Sequence, residues 1–451
     1  MEGRQRAGSA APEYLTVLKD GTVKQVNPFT GTRVWTVPGR AGRLRPAAPV
    51  EAAELKKPCP FCEKNYALTP PEKTRLVRVG AGWESLEQLP AERLFETTAE
   101  FRVIPNLFEI LSFDYWHANY GYDLPPAAAE HRRAYLASPA GRAHVLAVQR
   151  GKLEASGQTE AEVAALADEA VLAQTAGLFG GGHDVIVARR HWADGADWPD
   201  GPDGPDACSQ LAGSGTLDQA EHARYIALAV DSLRRLYDAN PHVRYVAVFQ
   251  NWLKPAGASL THLHKQLVAI DEHGADVELS MARALADPNV FNTAGADYAI
   301  AQNLVIAEND AAVAYAGFGH RYPTVEVYSK SAETRPWRQT AAEIEGLSDL
   351  VHAVHAATGP AVPTNEEWHH QPPDSNVKLP WRINVKWRLS TPAGFEGGTK
   401  VYVNTVSPAA LRGLLIPRLH TLRREGRLGP LRIGAECGTA PNPLGYAEAY
   451  S

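Results

Sequence analysis

The stretch "ASLTHLHKQLVAID", residues 258–271, sets His262 and His264 one residue apart in a run of strand-forming residues. Side chains of a strand alternate between its two faces, so positions i and i+2 point the same way. On that reading His262, His264 and Gln266 share a face. Two imidazoles on one face can both ligate a metal, or one can ligate while the other does chemistry. They can also do no more than satisfy hydrogen bonds.

Composition narrows the setting. The chain has 451 residues, 44% hydrophobic and 21% charged, with a net charge of −6. That is an ordinary globular composition with room for two or three domain-sized units, or for one large core with a duplicated half. An acidic balance argues against a surface that coats nucleic acid, so no nucleic-acid partner is expected. The start, "MEGRQRAGSAAPEY", lacks the apolar segment of a secretory signal, and no run of about 18 apolar residues predicts a membrane span. Cys59 and Cys62 form a pair while Cys208 and Cys437 stand alone, too few for a disulfide scaffold. The expected compartment is the cytoplasm.

Along the chain, residues 1–13 read as a disordered tail. "YLTVLKDGTVKQVNPFTGTRVWTVPGR" reads as short strands punctuated by Asp20-Gly21 and Asn27-Pro28, and Arg40, Arg43 and Arg45 follow as a cationic cluster. "FRVIPNLFEIL" is an apolar strand broken at Pro105 and Asn106, and residues 125–177 carry helical periodicity. The Pro/Gly/Asp-rich segment within 192–217 reads as a surface excursion. The helix "LDQAEHARYIALAVDSLRRLYDAN" then feeds the strand "RYVAVFQNW" and the two-histidine strand. After about residue 275 a similar order begins again, ending in the helix "TAAEIEGLSDLVHAVHAATG" and the strand "PWRINVKWRLS". The expected organisation is an N-terminal half, 14–274, a degenerate repeat, 275–437, and a tail, 438–451.

Cys59-Pro60-Phe61-Cys62 can grip zinc, but tetrahedral closure needs two further ligands. A redox pair would open a helix after a strand, whereas this one follows a charged loop and precedes a poor helix former; redox or inert thiols remain the alternatives. The missing ligands are expected to be histidines: His262 and His191, with His183 a weaker candidate. With His262 on a metal, His264 is left as a nucleophile toward phosphorus. Donors for phosphate oxygens are at hand in Gln266, Asn251, Ser259 and the backbone near Gly257, with charge from Lys254 and Lys265.

The segment "VFQNWLKPAGASLTHLHKQ" resembles the active-site segment of galactose-1-phosphate uridylyltransferase and its relatives in the histidine-triad superfamily. "NPFTGTRVWTVPGRAGR", "CPFC", "RVIPNLFEIL", "GGHDVIVARRHW" and "TPAGFEGGTKVYVNTVSPAALRGLL" are similar to further segments of that family in the same order, spanning roughly residues 25 to 415. The resemblance implies an α+β fold of two histidine-triad-like halves, each an open antiparallel sheet with flanking helices. It implies a structural zinc on Cys59, Cys62, His191 and His262, and His264 as the residue that accepts a nucleoside monophosphate. Gln266, Asn251 and Ser259 would hold the phosphate, Arg40 and Arg43 the diphosphate oxygens, and Asn106 the nucleoside.

In the family the second half carries its own H-x-H, which meets the sugar phosphate and often a second metal. Here Arg382 and Asn384 stand where those histidines are expected, with Lys386 near an expected Glu, which suits an anionic acceptor. Trp368, Trp381 and Trp387 are candidates for an acceptor pocket or for core packing. The resemblance thus implies a nucleotidyltransferase that takes a nucleoside-diphosphate sugar and passes the nucleotide to a sugar 1-phosphate. An ADP-sugar or dinucleoside polyphosphate phosphorylase using free phosphate is the alternative, and a non-catalytic nucleotide-binding protein a third reading. A homodimer is expected, because sites of this kind are commonly shared.

Overall fold

The computed structural model describes residues 13–39, 59–193 and 210–450. Its strands, in chain order, are β1 (Leu15–Val17), β2 (Val23–Val26), β3 (Arg33–Thr36), β4 (Thr74–Val79), β5 (Gly82–Glu87), β6 (Phe101–Pro105), β7 (His183–Ala188) and β8 (Tyr245–Trp252). They continue with β9 (His264–Ile270), β10 (Val305–Glu308), β11 (Ala312–Ala316), β12 (Thr324–Ser329), β13 (Thr364–His369), β14 (Arg382–Trp387), β15 (Val401–Asn404) and β16 (Arg432–Ile433).

Among the described residues twelve strands form one antiparallel sheet, ordered β16-β10-β11-β12-β14-β13-β8-β9-β7-β6-β4-β5. The run β6-β7-β9-β8 and the run β11-β12-β14-β13 have the same order relative to the chain, each with a long helix before its last hairpin. The two runs join edge to edge, β8 against β13, with Asn251 opposite Asn365 and Gln250 opposite Glu366. The sheet is therefore continuous from β9 through β8 and β13 to β10. It is an α+β architecture.

The two long helices arise from matching local signals. Asp218 and Glu221 cap Gln219–Ala239 reciprocally, and Thr340 and Glu343 do the same for Ala341–Thr358. Tyr225, Ile226, Ala229, Leu233 and Leu236 line the buried stripe of the first helix. Both helices cover one sheet face, against Val246, Val248, Leu267, Ile383 and Val385, all at most 2% exposed. Trp381 and Trp387 belong to this helix-side core, fully buried, and the Trp387 indole donates to Thr358 Oγ1. The opposite sheet face carries His264, Gln266, Asn251, Asn365 and Glu367, the alternation that strand geometry requires.

The N- and C-terminal segments depart from the sequence reading. β1 to β3 make a four-stranded sheet with β15, and Phe29 stacks on Phe291 at 4.5 Å. Residues 15–36, assigned to the first half by sequence, thus pack on the second. Residues 438–447, expected as a tail, are folded in: Leu444 and Tyr446 are fully buried and the Tyr446 hydroxyl accepts from the Phe291 N–H. Residues 210–217, expected as surface loop, include buried Leu211, Ala212 and Ser214. Gly215 lies so close to the backbone of His355 and Ala356 that a Cβ would stand 2.4 Å from Ala356 N. Among the described residues no helix is long and apolar enough to cross a membrane.

The helix side of the sheet also holds a charged pair. Lys265 of β9 reaches under β8 to Glu366 of β13, and neither side chain is exposed. Glu366 also accepts from Trp368 Nε1 at 2.6 Å and pairs with His355 Nε2 at 2.9 Å. Burial opposes its charge most strongly, yet the Lys265 charge and His355 together hold the Glu366 carboxyl below its ordinary range. A buried ion left without its partner costs about 3–5 kcal/mol, whereas an apolar replacement of the whole pair is often neutral. Lys265→Met is therefore expected to lower unfolding free energy by about 3 kcal/mol or more, and Lys265→Met with Glu366→Leu by clearly less, as measured by denaturant titration.

Candidate functional site

The CPFC knuckle follows the cluster's chemistry residue by residue. Cys62 N–H turns back to Cys59 O, and Asn65 Nδ2 donates to the same carbonyl at 2.7 Å, holding both thiols on one side. His262 Nδ1 lies 3.5 Å from Cys59 Sγ and 3.8 Å from Cys62 Sγ; His191 Nδ1 lies 3.5 Å from Cys62 Sγ. One ligand atom from each of the four residues falls within 4.8 Å of the rest. Zinc bonds of about 2.3 Å to sulfur and 2.0–2.1 Å to nitrogen, at a tetrahedral angle, separate S and N by about 3.5 Å. The three sulfur–nitrogen separations of 3.5, 3.5 and 3.8 Å are close to that value.

Outer contacts fix both imidazoles. His262 Nε2 donates to Ala188 O at 2.6 Å, and His191 Nε2 meets Thr261 Oγ1 at 3.0 Å, so each ring turns Nδ1 toward the thiols. Trp192 stacks on the His191 ring at 4.9 Å. Burial pushes the His262 pKa down, favouring the neutral form that ligates. His183, the weaker metal candidate, is not in the cluster.

Here the strand reading needs correction. β9 begins at His264, and β7 ends at Ala188, three residues before His191. His262 stands just outside the ladder: Ala188 N–H still donates to Leu263 O, but Ala188 O takes the His262 ring instead of a backbone partner. The two histidines separate because one ring completes the end of the sheet while the other stands on its face.

His264 Nδ1 donates to His262 O at 2.8 Å. That bond sets the tautomer and leaves Nε2 with a free lone pair. Burial pushes the His264 pKa down to about 4, so the ring is neutral near pH 7. Phe61 of the knuckle packs edge-on against both rings, 5.3 Å from His264 and 6.1 Å from His262.

On one side of His264 lie Gln266, His183 and Asn106. His183 Nδ1 accepts from Ile110 N–H, and its Nε2 lies 3.0 Å from Gln266 Oε1 and 3.0 Å from Asn106 Nδ2. With its carbonyl so held, Gln266 has its amide N–H groups left to donate. Sequence reasoning placed Gln266 and Asn106 here but missed His183 as the link between them. Glu109 anchors the same loop, its carboxylate accepting from Phe113 N–H and lying against Gly181.

On the other side Asn251 Oδ1 accepts from Asn365 Nδ2, which also donates to Ala256 O; Arg388 Nη1 donates to Asn365 Oδ1. Asn365 and Arg388 come from the second half and were not anticipated. The signal was the polar alternation of "TNEEWHH", in which Asn365, Glu367 and His369 share one face. A cleft of about 640 Å3 opens there, lined by Phe249, Asn251, Asn365, Glu367, His369 and Arg388 among others. The turn beneath it is strained at Leu253, whose φ is 66° although its side chain is buried.

Other expected residues fall differently. Arg40, Arg43 and Cys208 lie outside the described residues. Ser259 is exposed in the loop before His262, and Lys254 is exposed in the turn after β8. Lys265 is turned to the opposite sheet face and spent on Glu366, so it adds no charge to the site. Arg382, Asn384 and Lys386 face the same side as His264 but stand on β14, three strands away, roughly 14 Å across the sheet. The Cys437 thiol donates to Arg432 O, far along the sheet on β16.

The chain belongs to the family described as "Domain of unknown function (DUF4921)", whose profile matches residues 18–446. No curated protein sequence matches it. Among solved structures it is similar to an ADP-glucose phosphorylase from Arabidopsis thaliana with bound ADP-glucose, at TM-score 0.55 and 18% identity, covering 87% of this chain and 97% of that one. It is similar also to a GalT-like protein from the same plant, at TM-score 0.54 and 18% identity, covering 87% and 98%. The chain thus has the fold of the galactose-1-phosphate uridylyltransferase-like proteins.

Two outcomes follow from this geometry. Metal analysis after dialysis should find His262→Ala depleted of bound zinc and His264→Ala replete; equal loss from both would make both rings ligands. Burial pushes Glu109 from its ordinary 4.5 up to about 7. A carboxyl raised in the folded state stabilises fully below its unfolded pKa, and that contribution is lost as pH rises through the folded value. Stability should therefore decline between about pH 5 and pH 8 by no more than about 3 kcal/mol through this group, and Glu109→Gln should flatten that slope in thermal melts.

Proposed function

We propose that this protein is a nucleotidyl-transfer enzyme acting on a nucleoside-diphosphate sugar through a covalent nucleotidyl-histidine. The observation that carries the reading is the His264 ring: Nδ1–H is committed to His262 O, which leaves Nε2 as the ring's free nitrogen, and Gln266 follows two residues on along the same strand face. Zinc, when bound on Cys59, Cys62, His191 and His262, supplies a structural cross-link, since protein fills all four positions.

In the first half-reaction the Nε2 lone pair attacks the α-phosphorus. The N–P bond forms, the bond from α-phosphorus to the bridging oxygen breaks, and sugar 1-phosphate leaves with that electron pair. In the second, an oxyanion of the acceptor attacks the same phosphorus, the N–P bond breaks and neutral imidazole returns. No base is needed, because the ring enters unprotonated. Gln266 and Asn251 are the donors for the oxygens as charge builds, Ser259 closes the loop over them, Asn106 meets the nucleoside, and Arg40 and Arg43 neutralise the diphosphate.

The fold shared with an ADP-glucose phosphorylase crystallised with ADP-glucose supports a nucleotide sugar as donor. It also favours a second reading in which free phosphate is the acceptor.

Incubation with ADP-glucose or UDP-glucose labelled at the α-phosphorus, without acceptor, should leave acid-labile label on the wild-type protein and none on His264→Asn. Gln266→Ala should slow labelling on the order of 10²-fold, the usual loss of one oxyanion donor. Absence of label on wild type with every nucleotide sugar tried would sink the proposal.

A further inference from the structure

Asn365 of β13 is 7% exposed and stands directly across the seam from Asn251 of β8. Its side-chain Nδ2 donates to Asn251 Oδ1 at 2.7 Å and to Ala256 O at 2.8 Å, and its Oδ1 accepts from Arg388 Nη1 at 2.7 Å. Arg388 and Ala256 have fixed polarity here: a guanidinium nitrogen can only donate, and a backbone carbonyl can only accept. Arg388 is itself anchored, its Cζ 4.6 Å from the centroid of the Tyr322 ring and its backbone N–H on Pro363 O. The Asn365 amide therefore has one orientation, with its nitrogen toward Ala256 and Asn251.

That orientation dictates the next amide. Facing the Asn365 nitrogen, Asn251 has to offer its oxygen, which turns its own nitrogen the other way. Asn251 Nδ2 has no partner among the described residues and stands 3.7 Å from where a Cβ on Gly257 would be. The register of β8 on β9 pairs Phe249 with Gln266, and continued two residues further it sets Asn251 opposite His264. Side chains so opposed have Cβ atoms about 4.5–5.5 Å apart. An Asn251 amide turned over would offer a carbonyl oxygen to the same space, and that repels an anionic oxygen.

We propose that Asn365 is a positioning residue for transfer at His264, setting from the second half which end of the Asn251 amide meets the phosphoryl group. The proposal deepens the nucleotidyl-transfer reading and rests on it. Asn365 acts through Asn251: both hydrogens of its amide are committed, to Asn251 and to Ala256, so it has none to give a substrate. The donor on β8 is thus complete only with β13 beside it.

The test is a double-mutant cycle on the full-length protein, read by the single-turnover rate of labelling from ADP-glucose or UDP-glucose labelled at the α-phosphorus. Asn365→Asp keeps the shape and the Arg388 contact, but a carboxylate only accepts, so Asn251 turns over to donate to it. Labelling should slow on the order of 10²-fold, as for loss of an oxyanion donor, with little change in the nucleotide-sugar concentration at half-maximal rate. Asn365→Ala only frees Asn251 to turn and should slow labelling about ten-fold. A side chain held for packing alone predicts the reverse order, since alanine loses more contacts than aspartate. In Asn251→Ala, where no amide is left to orient, neither substitution should slow labelling further by more than about two-fold. A carboxylate that merely repelled the α-phosphate would slow both backgrounds alike. If thermal melts show that Asn365→Asp does not fold, Asn365→Ala carries the cycle alone. Wild-type rates in the folded Asn365 variants, alanine slower than aspartate, or equal losses in both backgrounds overturn the proposal and leave the nucleotidyl-transfer reading standing. No label on wild type removes both.

Discussion

The site depends on what happens to one residue, His262. Its ring reaches the cysteine knuckle through Nδ1 and the end of β7 through Nε2, while its carbonyl holds Nδ1 of His264. A single residue thus couples the Cys/His cluster, the termination of a strand and the tautomer of His264. Phe61 adds a packing contact between the knuckle and both rings. Loosening the cluster frees His262 and, through its carbonyl, His264.

A second constraint is the seam between β8 and β13. Because the sheet is continuous there, Asn365 and Arg388 of the second half lie beside Asn251 of the first. On the reverse side the same seam is bridged by Lys265 and Glu366. The two sheet faces divide the work: helices bury one charged pair on one side, and a polar row stays open to ligands on the other. A strand's alternation makes both uses available to adjacent residues, as at His264 and Lys265, or at Asn365 and Glu366.

Much of this was legible in the chain before folding. The capped helices, the strands around 245–252 and 264–270 and the cysteine pair are local signals, each set by residues within a few positions of one another. The failures also have physical causes. His262 lies off the strand because a side chain replaced a backbone rung, which no periodicity records. Residues 15–36 and 438–447 pack on the second half through contacts between Phe29 and Phe291, and between Tyr446 and Phe291, that span most of the sequence.

By itself the sequence offered the Cys59–Cys62 pair and a short list of candidate histidines, from which the resemblance picked His191 and His262, and it determined that His264 and Gln266 share a face, since alternation is a property of any strand. Tertiary structure alone decided that Lys265 is buried on the far face of the sheet, where Asn365 and Arg388 enter, and that Arg382 stands three strands from His264. Those depend on strand order and seam, and strand order is set by long-range packing, to which neighbouring residues along the chain are blind.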